Sequence, residues 1–183
     1  MWLLSSRVGN QLQEELDATG AVQPTTGQAY TMQEFWSEAV GIVTPHRAQQ
    51  ALIVSRLQSI FPGTAGQGIR EAVDTVERFQ GQQRDIMLVT FALGDPDAIS
   101  DEDEFLLSLN RFNVMASRAR AKLIVFVSQE VVDHLSSDMQ VLRDSALLKT
   151  FAETFCSQGR LMQLGYIRNG TTQPVHGVFR WRR

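Results

Sequence analysis

Two arginines that lie close together, Arg118 and Arg120, have the chemistry to bind anionic oxygens. They follow a polar stretch that begins at Asn110 and precede the apolar run 123–127. A guanidinium stays charged and presents a planar set of N–H donors that suits phosphate or carboxylate oxygens. The structural alternative is that both arginines pair with surface acids. Arg111, at the start of the same stretch, is expected to be structural, as is Asn113.

A second polar stretch stands directly before another apolar run. It contains Thr75, Gln80, Gly81 and Gln83, and the apolar run 86–91 follows. Both apolar runs are long enough for a fully buried strand but too short for an ordinary helix. Because open α/β sheets place ligands where strands meet polar loops, these two junctions predict a ligand site.

A third candidate group follows the short apolar strand predicted at 40–44. Thr44 and Pro45 are typical of a helix start, which places His46 and Gln49 on the first helical turn. Free backbone N–H groups at such a turn favour anions. The alternative is an ordinary capped and solvated helix start.

The three stretches together resemble a known family. The segments Gly41–Gln50 (GIVTPHRAQQ), Val73–Asp85 (VDTVERFQGQQRD) and Asn110–Arg120 (NRFNVMASRAR) resemble motifs IV, V and VI of superfamily 1 nucleic-acid helicases, in the branch with the Upf1-like and Dna2-like enzymes. Their order matches that family, and they cover roughly the middle half of the chain. The resemblance implies the second of the family's two RecA-like motor domains, a three-layer α/β domain with a mainly parallel sheet.

The same resemblance implies roles for individual residues. Arg118 matches the arginine finger, with Ser117 in place of the family's threonine. His46 stands where the family usually has tyrosine, and Gln83 where many members have glutamate. The implied nucleotide-binding residues are Gln49, Gly81, Gln83 and Arg120, and the implied nucleic-acid-binding residues are Thr44, His46, Thr75 and Gln80.

The sequence contains no phosphate-binding loop, which needs glycine and lysine followed by serine or threonine. Lys122 precedes a leucine and Lys149 follows one. We therefore expect half of a site for ATP with Mg²⁺, with the Mg²⁺ ligands in a first RecA-like domain of the parent protein. The expected partner is single-stranded DNA or RNA, and the isolated chain is expected to be inactive. The alternative is a free-standing RecA-like module that binds a partner or nucleic acid and hydrolyses nothing.

Composition sets broad limits. The 183 residues are 43% hydrophobic and 20% charged with a net charge of −3, which is ordinary for a globular protein and does not indicate nucleic-acid binding through bulk charge. A single cysteine, Cys156, excludes an internal disulfide framework. The histidines show no metal-binding spacing. No apolar run approaches membrane-spanning length, so we expect no membrane partner and a cytoplasmic location.

The chain is expected to divide into a helical and loop lead-in (1–39), a RecA-like domain (40–158) and a hairpin extension (159–183). The predicted strands are 40–44, 72–76, 85–91 and 122–127, and helices are predicted at 5–20 and 110–120. Residues 63–68 are expected to be a flexible connection. The acidic segment 95–104 could hold a metal but is more typical of a solvated loop. Arginines and aromatic residues near the carboxyl terminus could contact nucleic acid, but a basic tail on a hairpin is commoner and no site is assigned there.

Overall fold

The computed structural model describes residues 14–16, 22–24, 30–63, 65–79, 81–168 and 170–182. In the lead-in, strand β1 (Glu14–Leu16) pairs antiparallel with β2 (Val22–Pro24). The helix predicted over 5–20 is therefore wrong at 14–16, and its other residues lie outside the described ones. A short helix α1 (Met32–Glu34) starts with a capping box between Thr31 and Glu34 and continues into a π-helical turn, Phe35–Ala39.

The centre of the molecule is a parallel sheet of four strands. These are β3 (Val40–Thr44), β4 (Val73–Thr75), β5 (Arg84–Thr90) and β6 (Ala119–Phe126), in the spatial order β4-β3-β5-β6. All three pairings are parallel, with Thr44 opposite Thr75 and Val43 opposite Val89. This is the α/β architecture with a mainly parallel sheet that the sequence predicted.

Helices cover both faces of the sheet. One face packs against α2 (Arg47–Ile60), α3 (Ala65–Ala72) and the π-helical turn, around the fully buried Trp36. The other face packs against the helices that follow β5 and β6. These are α4 (Pro96–Asp101), α5 (Asp103–Leu106), α6 (Leu109–Ala116), α7 (Gln129–Asp133) and α8 (Met139–Lys149), with a second π-helical turn, Thr150–Phe155. Two apolar cores, one on each face, thus fix the three layers.

The connection from β4 to β5 crosses the sheet. Both strands run parallel to β3 and flank it, so the chain must return from the carboxyl end of β4 to the amino end of β5 within residues 76–83. Phe79 lies in this segment, is 1% exposed and packs over Gly41, where an added methyl group would lie 2.6 Å from the Phe79 ring. The crossing segment can therefore pack here only because Gly41 has no side chain.

Two predicted connections are ordered helices. The flexible connection predicted over 63–68 is wrong for residues 65–68, since α3 begins at Ala65 and Gly68 lies against Trp36, whose Cβ would be 2.9 Å from an added methyl group. The acidic segment 95–104 is not a loop, because Asp95 caps α4 through the amide of Ala98 and Ile99 is fully buried.

Residues 158–181 form a long antiparallel hairpin, β7 (Gln158–Arg168) and β8 (Thr171–Trp181), as predicted. Within the described ranges, no helix combines the length and apolar character needed to cross a membrane.

Candidate functional site

The ends of β5 separate the candidate residues into two groups. We call the end near Thr90 the carboxyl edge of the sheet and the end near Arg84 the amino edge. Thr44, His46, Gln49 and Thr75 lie at the carboxyl edge, whereas Gly81, Gln83, Arg118 and Arg120 lie at the amino edge. A strand of this length separates the two edges by about 20 Å. Gln49 therefore lies beside the predicted nucleic-acid contacts and away from the other predicted nucleotide contacts.

The carboxyl edge contains a chain of two hydrogen bonds between side chains. The Thr44 hydroxyl donates to Oε1 of Gln49, and Nε2 of Gln49 donates to Oγ1 of Thr90 at 3.3 Å. Thr44 is fully buried. These side chains join the start of α2 to the ends of β3 and β5, and their polar groups satisfy one another.

His46 is partly exposed beside this chain. It occupies the N-cap position of α2 without capping the helix through its side chain. Its ring stacks on Phe105 with centroids 6.2 Å apart, and Nε2 lies 3.3 Å from Oε2 of Glu102, without the alignment of a hydrogen bond. This contact becomes an ion pair when the imidazole is protonated.

Thr75 ends β4 and is only 7% exposed. Its amide donates to Oδ1 of Asp74 at 2.8 Å, and its carbonyl oxygen accepts from the amide of Phe79 at 3.1 Å. Gln50 binds the same region through Nε2, which donates to the Val73 carbonyl oxygen at 2.9 Å and to Asp74 Oδ1 at 3.1 Å. Gln50 therefore joins α2 to β4, and the bond between Thr75 and Phe79 closes the turn that follows β4.

At the amino edge, Arg84 is a buried anchor. Its guanidinium lies 5.2 Å from the centroid of the Phe79 ring and donates to the Gln83 carbonyl oxygen and to Oε1 of Gln82, both at 2.9 Å. Burial lowers the pKa of Arg84 below its ordinary value, Arg120 adds to this, and Glu38 and Glu71 oppose it. An arginine in this state is still charged. Sequence reasoning missed Arg84, whose only signal was a charge at the start of an apolar strand.

The backbones of Arg118 and Arg84 are hydrogen-bonded, because the Arg118 carbonyl oxygen accepts from the Arg84 amide at 3.0 Å. The helix predicted over 110–120 ends at Ala116, so Arg118 stands in the turn between α6 and β6. Its side chain is half-buried, its Nε is buried without a hydrogen-bond partner, and it forms no ion pair within the described ranges. The Arg118 backbone is thus fixed by hydrogen bonds, while its guanidinium has no acid partner among the described residues.

Arg120, in β6, has the opposite environment. Its Nε lies 2.9 Å from Oδ1 of Asp85, and one terminal nitrogen lies 3.4 Å from Oε2 and 3.2 Å from the carbonyl oxygen of Glu38. Asp85 also accepts a hydrogen bond from the hydroxyl of Tyr30. The alternative, in which both arginines pair with acids, is therefore observed among the described residues for Arg120 and not for Arg118, and one of the acids on Arg120, Asp85, is buried.

The turn before β5 places Gly81 and Gln83 at the surface. Gly81 has φ +84°, a left-handed conformation that glycine adopts without strain. The Gln83 side chain is exposed, and Gln80 lies outside the described residues. Arg111, expected to be structural, stacks 3.6 Å from the Phe105 ring centroid and pairs with Glu77 at 3.2 Å.

Metal ligands are not grouped in the part of the chain that the structure describes: no three His, Cys, Asp or Glu side chains there could hold an ion together. In the acidic segment, Asp103 instead lies 3.1 Å from Nε2 of His134. The pKa of Asp103 is lowered, because burial, which raises it, is outweighed by hydrogen bonds from Ser136 and His134.

Comparison with known proteins identifies sequences that are similar to this chain. The chain is similar to Probable RNA helicase armi of Drosophila melanogaster, with 35% identity over 94 residues, which is 49% of this chain and 7% of that protein. It is 30% identical over 106 residues to DNA replication ATP-dependent helicase/nuclease JHS1 of Arabidopsis thaliana, covering 58% of this chain and 7% of that protein. It is 37% identical over 86 residues to Probable helicase senataxin of Mus musculus, covering 47% of this chain and 3% of that protein.

The chain thus spans less than a tenth of the length of these relatives. A family model described as an AAA domain matches residues 11–130, which is more than half of the chain and includes all four strands of the parallel sheet. The chain therefore belongs to this AAA domain family.

Proposed function

We propose that the chain is the second motor domain of an ATP-dependent superfamily 1 helicase or translocase. Its place in the AAA domain family, the names of its relatives and its parallel α/β sheet support this function. In this proposal the domain supplies an arginine finger and part of a groove for single-stranded nucleic acid. The first motor domain supplies the phosphate-binding loop and the Mg²⁺ ligands.

The environment of Arg118 is the observation that carries the proposal. A half-buried guanidinium with an unpaired, buried Nε and no carboxylate partner among the described residues lacks an anion. Arg120 has two acids near it. A nucleotide held by a neighbouring domain would bring phosphate oxygens to Arg118, and a guanidinium there stabilises the charge that develops during phosphoryl transfer.

Most of the other proposed nucleotide contacts lie at the amino edge. Gly81 and Gln83 form an exposed turn before β5, and in the proposal the Gln83 amide hydrogen-bonds the sugar. Arg120 stays a predicted nucleotide contact, and its present bonds to Asp85 and Glu38 would also hold the backbone beside Arg118 in position. Gln49, at the other edge, would act on the nucleic-acid side.

We place the nucleic acid at the carboxyl edge. Thr44 and Thr75 are buried, so their side chains would shape the loops there, while His46 and Gln80 would contact the strand. Arg47 and Arg78 are exposed, and each stands three residues after one of these threonines. Since Thr44 and Thr75 are opposite each other in the sheet, both arginines lie near the same edge and would attract phosphates. The acidic segment 95–104, whose Glu102 contacts His46, would repel them, so the strand would pass on the side of the two arginines.

A continuous set of contacts joins the two proposed sites. The Phe79 amide binds the Thr75 carbonyl oxygen, the Phe79 ring stacks under Arg84, and the Arg84 amide binds the Arg118 carbonyl oxygen. We propose that this segment transmits nucleic-acid binding at the carboxyl edge to the arginine finger at the amino edge. Such a path requires a measured coupling, which variants of Phe79 can supply.

The test is the ATPase rate of the chain alone and joined to its first motor domain. We expect no hydrolysis by the chain alone and hydrolysis stimulated by nucleic acid in the joined protein. In the joined protein, Arg118→Ala should lower kcat roughly 10³-fold or more with nearly unchanged oligonucleotide affinity. Arg118→Lys should restore little, because an ammonium lacks the planar fork.

Arg143→Ala is the matched control, since Arg143 is an exposed arginine on α8 without an ion pair among the described residues. Hydrolysis by the isolated chain above a contaminant control, or full turnover by Arg118→Ala, contradicts the assignment. Absence of hydrolysis after joining to a competent first domain would instead favour the free-standing binding module.

A further inference from the structure

The terminal hairpin, β7 and β8 together, has little cover from the rest of the molecule. Its described side chains are mostly exposed, and Leu161 reaches 82% and Val178 51%. A two-stranded hairpin is marginally stable by itself in water. A surface of this kind is commonly completed by a partner.

Two aromatic residues, Phe179 and Trp181, lie on one face of the terminal hairpin at its base. The register pairs Arg160 with Phe179, Gln158 with Trp181 and Leu164 with Val175, so these side chains share a face. We call it the aromatic face. The Phe179 and Trp181 rings are stacked, with centroids 5.4 Å apart and planes at 23°. Phe179 is 48% exposed and Trp181 is partly exposed.

The hairpin together with the two residues that follow it has a charge opposite to that of the rest of the chain. Residues 158–183 contain five arginines and no acidic residue, which gives a net charge of +5. Residues 1–157 contain all 20 acidic residues and 12 of the 17 basic ones, which gives −8. Arg160, Arg180 and Arg182 are exposed and form no ion pair with the described residues. Packing the hairpins of two copies together would therefore place like charges side by side, whereas a polyanion complements the surface.

We propose that the terminal hairpin is a binding surface for single-stranded nucleic acid. Unpaired bases would stack on Phe179 and Trp181, and Arg160, on the same face, would contact the adjoining phosphate. Arg180, on the opposite face, and Arg182, whose guanidinium lies 4.6 Å from the Phe155 ring centroid, would add electrostatic attraction. This site lies outside residues 11–130, the part that matches the AAA domain family, and it needs neither ATP nor Arg118.

The experiment titrates a fluorescein-labelled twelve-nucleotide oligothymidylate with the 183-residue chain, without nucleotide, at several salt concentrations. Trp181→Ala should weaken binding at least about fivefold, because base stacking on an aromatic ring contributes this much or more. Arg160→Ala should reduce the slope of log affinity against log salt by about 0.7, the value for one phosphate contact on a single strand. A duplex of the same length should bind at least about fivefold more weakly, since its bases are already stacked.

Tryptophan fluorescence gives an independent readout. Oligonucleotide should quench the emission of the parent chain, and Trp181→Phe should remove that quenching while retaining most of the affinity. Arg143→Ala and Leu161→Ala are the matched controls, an exposed arginine on α8 and an exposed apolar residue on the other face of the hairpin. Both should bind as the parent does.

Three results would overturn the proposal. The first is parent-like binding by Trp181→Ala and Arg160→Ala while Arg47→Ala and Arg78→Ala lose affinity, which would leave binding to the carboxyl edge alone. The second is equal affinity for duplex. The third is concentration-dependent self-association in sedimentation that Trp181→Ala abolishes, which would make the aromatic face a contact between copies. None of these results depends on hydrolysis, so failure of the Arg118 experiment leaves this proposal standing, and the reverse also holds.

Discussion

The two edges of the parallel sheet differ in how their polar side chains are paired. At the carboxyl edge, Gln49 accepts a hydrogen bond from Thr44 and donates one to Thr90. At the amino edge, Arg120 is paired with acids, whereas Arg118 has no acid partner and no hydrogen-bond partner for its buried Nε within the described part of the chain. Arg84 also has an unpaired Nε, but its other guanidinium nitrogens are bonded. Polar groups that are paired within the fold support structure, whereas at Arg118 an external anion would supply the missing partner.

The segment that connects the two edges gives the largest expected effect on stability. Phe79 is 1% exposed and contacts both Gly41 and Arg84. Phe79→Ala should lower the free energy of unfolding by about 3–5 kcal/mol, the usual cost of removing a buried phenylalanine. Urea denaturation followed by circular dichroism measures this change. A loss below about 1 kcal/mol would mean that the crossing segment is not anchored by this ring.

Breaking the chain of two hydrogen bonds at the carboxyl edge should give the next largest loss of stability. Thr44→Val keeps the shape of the side chain but removes the hydroxyl that donates to Gln49. We expect a loss of about 1–3 kcal/mol in the free energy of unfolding, because a polar group is left unsatisfied. Arg118→Ala, which breaks no bond within the described residues, should change the same quantity by less than about 0.5 kcal/mol. Equal losses in both variants would remove the distinction between the two edges.

Within the amino edge, the two arginines should differ in their response to salt. Arg120→Ala should cost about 1 kcal/mol at low salt, as expected for a partly exposed ion pair, and less at high salt. The stability of Arg118→Ala should show no such dependence on salt relative to the parent chain. Denaturation at two ionic strengths measures the free energy of unfolding of both variants. A salt-dependent loss of stability in Arg118→Ala would indicate an acid partner for Arg118.

A smaller, pH-dependent effect is expected in the acidic segment beside the carboxyl edge. The pKa of Asp103 is lower in the fold than in the unfolded chain, because hydrogen bonds from Ser136 and His134 outweigh the effect of burial. The carboxylate therefore stabilises the fold fully above its ordinary pKa, and this stabilisation disappears as the pH falls through the lowered value. Asp103→Asn should remove the contribution at neutral pH and make acid unfolding shallower. An unchanged acid profile would show that Asp103 has no role in it.

The sheet could be predicted from sequence because its strands are short apolar runs between turn signals. β3 was predicted with its observed bounds, and β4 and β5 within one residue at each end. β6 begins earlier than predicted, at Ala119, because an edge strand with one side exposed accommodates Arg120 and Lys122. Residues 65–72 were missed as a helix because Gly66 and Gly68 look flexible, whereas Gly68 allows close packing against Trp36.

The site was harder to predict, because the chemistry of a side chain depends on its neighbours in space. Sequence motifs identified Arg118 and Arg120 together but could not show that Asp85 and Glu38 compensate only the second. They also grouped Gln49 with the nucleotide contacts, while the fold places it beside Thr90 at the other edge. The exposure of the Phe179 and Trp181 pair was likewise invisible, since a hairpin base can face either a core or solvent.

The most direct measurement is the affinity of the joined two-domain protein for the complex of ADP and aluminium fluoride, in which the fluoride mimics the transferring phosphoryl group. This affinity is compared between the parent protein, Arg118→Ala and Arg120→Ala. Arg118→Ala should lose about 10²-fold or more in affinity for the mimic while its affinity for ADP alone barely changes, because the contact forms mainly in the transition state. Arg120→Ala should lose much less. Parent-like affinity for the mimic in Arg118→Ala, or a larger loss in Arg120→Ala, would contradict the assignment of Arg118 as the arginine finger.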